Sequence, residues 1–136
     1  MIFIDSNIPM YVVGEDHPHK IAAQGALERL AGERRRLVTS SEVLQELLHR
    51  YVSIGRRDAI EPVFEAVRGI VDVVLPVVEA DVLAAKELVH SHPRLSARDA
   101  VHLAVMRSHQ ITEILSFDRG FDGIVGVARL ALPALS

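Results

Sequence analysis

Short apolar runs alternate with longer amphipathic segments along this chain. The apolar runs are rich in Val, Ile and Leu and predict buried strands at residues 2–4, 37–39, 71–77, 111–117 and 124–132. The segments between them carry apolar residues at helical spacing and predict helices at residues 8–13, 21–31, 40–53, 57–69, 78–90 and 96–109. Strands that alternate with helices are typical of a parallel sheet with helices on both faces. We therefore expect one α/β domain over residues 1–136.

Three of these helices have features that affect the prediction. Residues 40–53 form the clearest amphipathic helix, whose apolar stripe consists of Val43, Leu44, Leu47, Leu48, Tyr51 and Val52. In residues 57–69, Pro62 predicts a late helix start or a kink, because proline lacks the N–H that a helix interior uses. Residues 96–109 are apolar nearly all round, which predicts a central, buried helix.

Composition narrows the class of protein. Hydrophobic residues make up 49% of the chain and charged residues 24%, as in a soluble globular domain. No apolar run approaches the ~18 residues of a membrane span, and we expect no signal peptide because a basic segment is missing before the first apolar run. The net charge of −3 argues against nucleic-acid coating by bulk electrostatics. The absence of cysteine excludes disulfides and thiol catalysis and suits the cytoplasm.

Four acidic residues lie near the expected carboxyl edge of the sheet. Two of them follow predicted strands, and two lie on predicted helices. Asp5 follows the first strand, and Asp118 follows the strand at 111–117. Glu46 borders the apolar stripe of helix 40–53, and Asp99 opens helix 96–109. In open α/β sheets the ligand crevice lies beyond the carboxyl ends of the strands. We therefore expect these four carboxylates to meet at one rim.

Each acid also has an ordinary structural interpretation. Residues 39–42 (Thr-Ser-Ser-Glu) fit a capping box that would use Glu42 and point it to solvent, and residues 96–99 fit a second box that would use Asp99. Glu46 fits a solvated surface residue, and Asp118 fits a turn-forming aspartate near Gly120. His102 is expected to be a packed core histidine rather than a ligand.

The hypothesis of a shared site follows from the combination. Four carboxylates within a few ångströms of each other repel by roughly several kcal/mol when the effective dielectric constant is intermediate between that of water and that of a protein interior. Such a cluster is therefore expected to bind a cation that neutralises it. Oxygen ligands select Mg²⁺ or Mn²⁺ over zinc. A hard cation held by carboxylates, with positions left for water and phosphate, is suited to phosphodiester hydrolysis.

The chain resembles the PIN-domain nucleases, and among them the VapC-type toxins of prokaryotic toxin–antitoxin pairs. The matching segments are residues 4–7 (Ile-Asp-Ser-Asn), 39–47, 96–100 and 116–121 (Ser-Phe-Asp-Arg-Gly-Phe), in an order that spans nearly the whole chain. The resemblance implies a three-layer α/β/α sandwich with a mainly parallel central sheet. It also implies a Mg²⁺- or Mn²⁺-dependent endoribonuclease that forms a homodimer and is inhibited by a small antitoxin protein covering the acidic site.

By motif match, the resemblance assigns the metal-site and catalytic acids as Asp5, Glu46, Asp99 and Asp118. Ser6, Asn7 and Ser116 would orient these acids, and Asp122 would be an auxiliary acid. Serine stands at residues 6 and 116 where threonine is common in the family, and no acid lies between Asp118 and Phe121. Arg119, or the loop of residues 34–36 that contains Arg35, would grip the RNA backbone; a solvated face is the alternative for these arginines.

Other classes of protein compete with this interpretation. Receiver domains and haloacid-dehalogenase-type phosphatases also place an acid after the first strand, but they expect a lysine near a later strand end, and Lys20 and Lys86 both fall in predicted helices. A PIN-like module that binds RNA or protein without cutting it remains open, as does a housekeeping RNA-processing nuclease. A zinc site would draw on His17, His19, His90 and His92.

Overall fold

The computed structural model describes residues 1–132. The strands are β1 Ile2–Ile4, β2 Leu37–Ser40, β3 Val73–Leu75, β4 Glu113–Leu115 and β5 Ala128–Leu130. The helices are α1 Asn7–Val13, α2 Pro18–Gly32, α3 Ser41–Ser53, α4 Ile60–Ile70, α5 Glu79–Ser91 and α6 Ala97–Ser108. Short 3-10 turns cover Arg57–Ala59 and Arg119–Phe121. The last four residues of the predicted domain 1–136 lie outside the described residues, so that boundary stays a prediction.

The five strands form one sheet in the order β3-β2-β1-β4-β5, and all neighbours are parallel. The chain builds the sheet outward from β1 to β3 and then returns to place β4 on the other side of β1. The order therefore reverses between β1 and β4, which is where open α/β sheets place their ligand crevice. Asp5 and Ser116 directly follow these two strands.

Helices cover both faces of the sheet, which confirms the predicted α/β/α sandwich. Successive strand side chains point to opposite faces, so Ile2 and Ile4 pack with α1 and α2, while Phe3 packs with α3 to α6. The central helix α6 is buried along most of its length, as its all-round apolar pattern predicts. Among the described residues, no helix combines the length and apolar character that crossing a bilayer requires.

Three strands, β3, β4 and β5, are shorter than predicted, and the apolar flanks of β3 and β4 make other contacts. The N–H of Val71 caps α4 by donating to the carbonyl of Val67, and the N–H of Ile111 donates to Met106 at the end of α6. The N–H of Phe117 donates to the side chain of Asn7. Apolarity alone marks all of these residues as buried, but it does not separate ladder residues from residues that pack against the ends of the sheet.

Helix boundaries differ from the prediction where local chemistry decides them. Helix α2 begins at Pro18, three residues earlier than predicted, because proline suits the first turn and His17 Nδ1 accepts a hydrogen bond from the N–H of His19 at 3.0 Å. Pro62 lies in the first turn of α4, which confirms the late start. On α3, Leu48 and Val52 are 45% and 39% exposed, so the buried stripe is narrower than predicted.

Candidate active site

Asp5 is a buried carboxylate at the carboxyl end of β1, with 3% of its surface exposed. Its Oδ1 accepts a 2.7 Å hydrogen bond from the N–H of Ser6. Its Oδ2 accepts bonds from Ser116 Oγ at 2.6 Å and from Asn7 Nδ2 at 3.4 Å. Burial raises the pKa of Asp5 above its usual value, although His102 and the bond from Ser116 act in the opposite direction. The carboxylate is therefore held firmly at a position where its charge is unfavourable unless a cation is near.

Ser116 and Asn7 join the end of β4 to the start of α1. Ser116 Oγ also accepts hydrogen bonds from Asn7 Nδ2 at 3.2 Å and from the N–H of Asp118 at 2.9 Å. Asn7 Oδ1 accepts a bond from the N–H of Phe117 at 3.3 Å. These bonds fix the chain leaving β4 relative to Asp5, so the position of Asp118 depends on the same network.

Glu46 reaches the cleft from α3 and is tied to both neighbouring elements. Ser6 Oγ donates to its Oε2 at 2.9 Å, and its Oε1 is hydrogen-bonded to Nε2 of His102 on α6. Burial by itself would raise the pKa of Glu46, but the hydrogen bond and positive charge of His102 lower it below the usual value. Glu46 thus lines the acidic cleft, whereas Glu42 does not.

His102 is fully buried, and its Nε2 lies 3.7 Å from Oδ1 of Asp5. Burial favours the neutral imidazole, but the hydrogen bond that His102 donates to Glu46 and the charge of Asp5 outweigh it and raise the pKa of His102. Asp5, Glu46 and His102 each offer a ligand atom within 4.8 Å of the others. His102 is packed in the core, as predicted, and its hydrogen bond to the site acid Glu46 is a role that the prediction did not include.

Asp99 and Asp118 complete the cleft from α6 and from the turn after β4. The N–H of Asp99 donates to Ser96 Oγ at 3.1 Å, so the serine half of the predicted capping box is present. Burial, followed by contact with the carboxyl group of Asp118 and the charge of Asp5, raises the pKa of Asp99 to about 7. Asp118 Oδ1 accepts a bond from the N–H of Gly120 at 2.8 Å. This confirms the predicted turn, and the carboxylate of Asp118 still faces the cleft.

The four predicted acids line one cavity of about 420 Å³. Three arginines also line it, namely Arg50, Arg94 and Arg98. Sequence reasoning missed these arginines, because an exposed arginine on a helix carries no signal of the cleft it faces. His102 could have been found, since residues three apart on a helix share a face and His102 follows Asp99 at that spacing.

Glu42 does not form the predicted capping box. Helix α3 is capped at Ser40 without a side-chain bond, and Thr39 Oγ1 instead donates to the carbonyl of Ile4 at 2.7 Å. The threonine hydroxyl is thus used to join β2 to β1. Glu42 is half-buried rather than solvent-facing, and burial raises its pKa.

Three residues predicted to contact RNA or assist the acids do not line the acidic cavity, namely Arg119, Asp122 and Arg35. Asp122 forms a pair of hydrogen bonds with Arg129, at 2.8 and 3.1 Å. Arg35 pairs with Glu113, the first residue of β4, and so lies at the amino edge of the parallel sheet, opposite the acids. The expected RNA contact of Arg35 at this site does not fit that position.

Two of the competing predictions, the phosphoacceptor folds and the histidine zinc site, find no support among residues 1–132. Lys20 Nζ donates to the carbonyl of Gly14 at 2.8 Å, and Lys86 is exposed on α5, so neither lysine serves the cleft. His17 and His19 contact each other at 4.8 Å between ring centroids, and His19 stacks on Phe117 at 4.1 Å. The only metal-capable group of acids and histidines found in this part of the chain is the one that contains Asp5.

The donor set fits a hard divalent cation. The cleft offers carboxylate oxygens, while Nε2 of the one nearby histidine is engaged by Glu46. The pKa of about 7 on Asp99 means that the cluster retains a proton near neutral pH when no cation balances it. A cation that replaces this proton would relieve the repulsion, and oxygen ligands favour Mg²⁺ or Mn²⁺.

Comparison with known proteins agrees with this geometry. The family model for the PIN domain matches residues 2–126. The chain is 56% identical to ribonuclease VapC13 of Mycobacterium tuberculosis over 131 residues, which are 96% of this chain and 100% of the relative.

Solved structures show the same fold. Mycobacterium tuberculosis VapC20, described as a sarcin-ricin loop cleaving toxin, superposes with a TM-score of 0.70 at 25% identity, covering 93% of this chain and 98% of that one. VapBC2 of Rickettsia felis, bound to a DNA fragment from its promoter, gives a TM-score of 0.73 at 16% identity, covering 96% and 98%. The chain belongs to the PIN-domain family and, within it, to the VapC ribonucleases.

Proposed function

We propose that this protein is a Mg²⁺- or Mn²⁺-dependent endoribonuclease and the toxin of a toxin–antitoxin pair that acts in the cytoplasm. The observation that carries the proposal is the convergence of Asp5, Glu46, Asp99 and Asp118 on one cavity. Membership of the VapC ribonucleases supports RNA as the substrate. The raised pKa of Asp99 supports cation binding, because it shows that the clustered carboxylates are not all stable as free anions.

In this proposal Asp5, Glu46, Asp99 and Asp118 would hold the cation. Charge neutralisation and activation of the attacking water are the chemistry that such a cation supplies when bound. Ser6 and Ser116 orient the carboxylates of Glu46 and Asp5 through their 2.9 and 2.6 Å hydrogen bonds, and Asn7 keeps Ser116 in place. Outer hydrogen bonds of this kind set the direction of ligand oxygens.

The remaining chemistry concerns the proton and the phosphate. Asp99 would release its proton when a cation binds the cluster, because burial and the neighbouring acids are what raise its pKa to about 7. Hydrolysis adds water across one P–O ester bond and frees a hydroxyl group on the adjoining nucleotide. Arg50 and Arg98 line the same cavity and would hold the phosphate against the negative acids. Asp122 remains a candidate auxiliary acid only if it leaves Arg129.

Two partners follow from family membership as further proposals. We propose a small antitoxin protein that covers the acidic cavity, and a homodimer of this chain. Exposed apolar side chains on α3 and α5 offer surface for such contacts, namely Leu48, Val52, Val82 and Leu83. Light scattering of the purified chain, alone and with the product of a neighbouring short reading frame, tests both proposals; without such a frame, a housekeeping nuclease becomes the better assignment.

The test of the activity is cleavage of a labelled RNA pool by purified protein shown to be folded and free of antitoxin. The reaction is run with Mg²⁺, with Mn²⁺ and with chelator, for the wild type, Asp5→Asn and Asp16→Asn. Asp16 is exposed and does not line the acidic cavity, so it controls for loss of one charge. We expect metal-dependent cutting that Asp5→Asn abolishes and Asp16→Asn retains. No cutting in either metal would favour a non-catalytic RNA- or protein-binding module.

A further inference from the structure

A second cavity of about 530 Å³ adjoins the acidic one. It lies between the loop that follows α5 and the turn that follows β4, and it shares Arg94, Leu95 and Gly120 with the acidic cavity. The two cavities are therefore parts of one continuous depression. A molecule whose phosphate sits among the acids would have its neighbouring group in the second cavity.

The walls of the second cavity suit a flat, partly apolar group. Pro93, Leu95 and Ile124 contribute apolar surface, and Leu95 is rigidly placed because it is part of the core with 8% exposure. His92 lies at the same wall. Proteins that bind unpaired RNA commonly place its bases against aromatic, apolar or guanidinium surfaces. The volume also lies within the range of sites for small organic ligands.

The lining of the second cavity carries more arginine than acid. Arg94 and Arg119 line it, and neither forms an ion pair with a carboxylate among residues 1–132. The acid in its lining, Asp122, is bound by the guanidinium of Arg129 through two hydrogen bonds. A phosphate at this end of the depression would meet two uncompensated guanidinium groups and one neutralised carboxylate.

We propose that the second cavity is the binding site for an unpaired RNA nucleotide next to the phosphate that is cut. The base lies against Leu95 and Ile124, while Arg94 and Arg119 hold the phosphates on either side of the nucleotide. This proposal rests on the proposed function, since it takes the acidic cavity as the place of cleavage. A base can enter only when it is outside a duplex, so the nucleotide in this cavity is unpaired when it binds.

The first test measures binding without cleavage. The ¹⁵N-labelled chain is titrated in Mg²⁺ with each of the four 5′-ribonucleoside monophosphates, and in parallel with inorganic phosphate. We expect nucleotide-dependent amide shifts at residues 92–95 and 119–124, with phosphate alone failing to move Ile124. Equal amide shifts with phosphate and with the nucleotides would show that the cavity binds only the phosphate anion, which would overturn the proposal. The absence of shifts at these residues would overturn it as well.

Two variants and a matched control sharpen this test. Arg119→Glu should weaken nucleotide binding by about tenfold, as expected for loss of a charge-assisted contact, and Ile124→Ala should weaken it without changing the response to phosphate. Arg68→Glu makes the same change of charge on an exposed residue of α4 outside both cavities and should leave binding unchanged. Equal losses in Arg119→Glu and Arg68→Glu would mean that only net charge matters.

Cleavage then separates this proposal from the proposed function. For a cleaved oligonucleotide, an abasic nucleotide beside the cut should raise KM in the wild type, and it should raise KM less in Ile124→Ala. If the wild type cuts RNA and base removal has the same effect in both proteins, the nucleotide site is wrong and the nuclease stands. If no RNA is cut but the nucleotide shifts occur as expected, the nuclease is wrong and the binding site stands.

Discussion

The hydroxyl of Ser116 donates a 2.6 Å hydrogen bond to Oδ2 of Asp5, joining residues 111 positions apart in a fully buried contact. The two residues directly follow β4 and β1, the neighbouring strands between which the strand order reverses. The same hydroxyl accepts a bond from the N–H of Asp118. One buried serine therefore sets the orientation of Asp5 and the position of the chain that carries Asp118.

Replacement of this serine should affect both stability and activity. Ser116→Ala removes a donor from a buried carboxylate, so we expect the free energy of unfolding to fall by about 1–3 kcal/mol. Activity should fall by roughly 10–100-fold, with weaker Mg²⁺ binding, as for other groups that orient metal ligands. Chemical denaturation, cleavage rates and Mg²⁺ titration measure the three effects.

Ser108→Ala is the matched control for that substitution. Ser108 Oγ donates only to the carbonyl of Val105 in its own helix, and the residue is exposed. Its replacement should leave cleavage unchanged. A Ser116→Ala protein that lost stability but kept wild-type Mg²⁺ affinity would show that the serine is structural and does not orient Asp5 for a cation.

Glu46 and Glu42 form a natural pair on α3, one turn apart. Glu46→Gln should reduce cleavage by roughly 100-fold, because it removes a charge from the cavity and weakens the contact with His102. Glu42→Gln should leave cleavage within about threefold, because Glu42 does not line that cavity. Rates are compared at saturating Mg²⁺ for both variants. Similar losses of cleavage in Glu46→Gln and Glu42→Gln would mean that these acids act only through the overall electrostatic field of the protein.

The sequence predicted those parts of the fold and site that depend on chain order and periodicity. Asp5 and Asp118 follow strands, and the carboxyl ends of parallel strands share one edge, so their meeting followed from the alternation of elements. Glu46 was separated from Glu42 by its angle to the apolar stripe. The same angle predicted too high an exposure for Glu42, because the helical period of α3 does not show which neighbouring elements cover each of its faces.

The remaining features depend on tertiary contacts that no local pattern carries. The role of His102 requires α3 and α6 to be adjacent, and the role of Arg94 requires the α5–α6 loop to lie over the cleft. Arg35 looked equivalent to Arg119 in the sequence, but it lies at the amino edge of the sheet because it precedes β2. Strand lengths were overestimated because buried apolar residues at sheet ends resemble ladder residues.

Cation binding should stabilise the folded chain. A ligand that binds only the native state adds about 2.7 kcal/mol to the free energy of unfolding at 100 times its Kd. We expect Mg²⁺ and Mn²⁺ to raise the Tm of the wild type, and Asp5→Asn to remove most of this increase. Differential scanning fluorimetry with matched ionic strength measures the shift. An equal shift in both proteins would place the cation elsewhere.

Without metal, stability should depend on pH through Asp99. Its pKa is about 7 in the folded protein, against an ordinary value of 3.8. Between these values the native state binds more protons than the unfolded state, so the free energy of unfolding contributed by this group falls as pH rises. The contribution of this group to the free energy of unfolding is complete below about pH 4 and is lost as the pH rises to about 7.

Asp99→Asn isolates this contribution, because an amide is neutral throughout that range. In chelator, the Tm of the wild type relative to Asp99→Asn should decline as pH rises from about 4 to about 7.5, while Asp16→Asn should follow the wild type. The difference in Tm between the two proteins reports the titration of Asp99 together with its effect on His102, whose pKa the charge of Asp99 helps to raise. Saturating Mg²⁺ should abolish or reverse the decline, since the cation takes the place of the proton. If the curves of Tm against pH for the wild type and Asp99→Asn run parallel in chelator, Asp99 ionises at its ordinary pKa. In that case Asp99 and Asp118 share no proton near neutral pH.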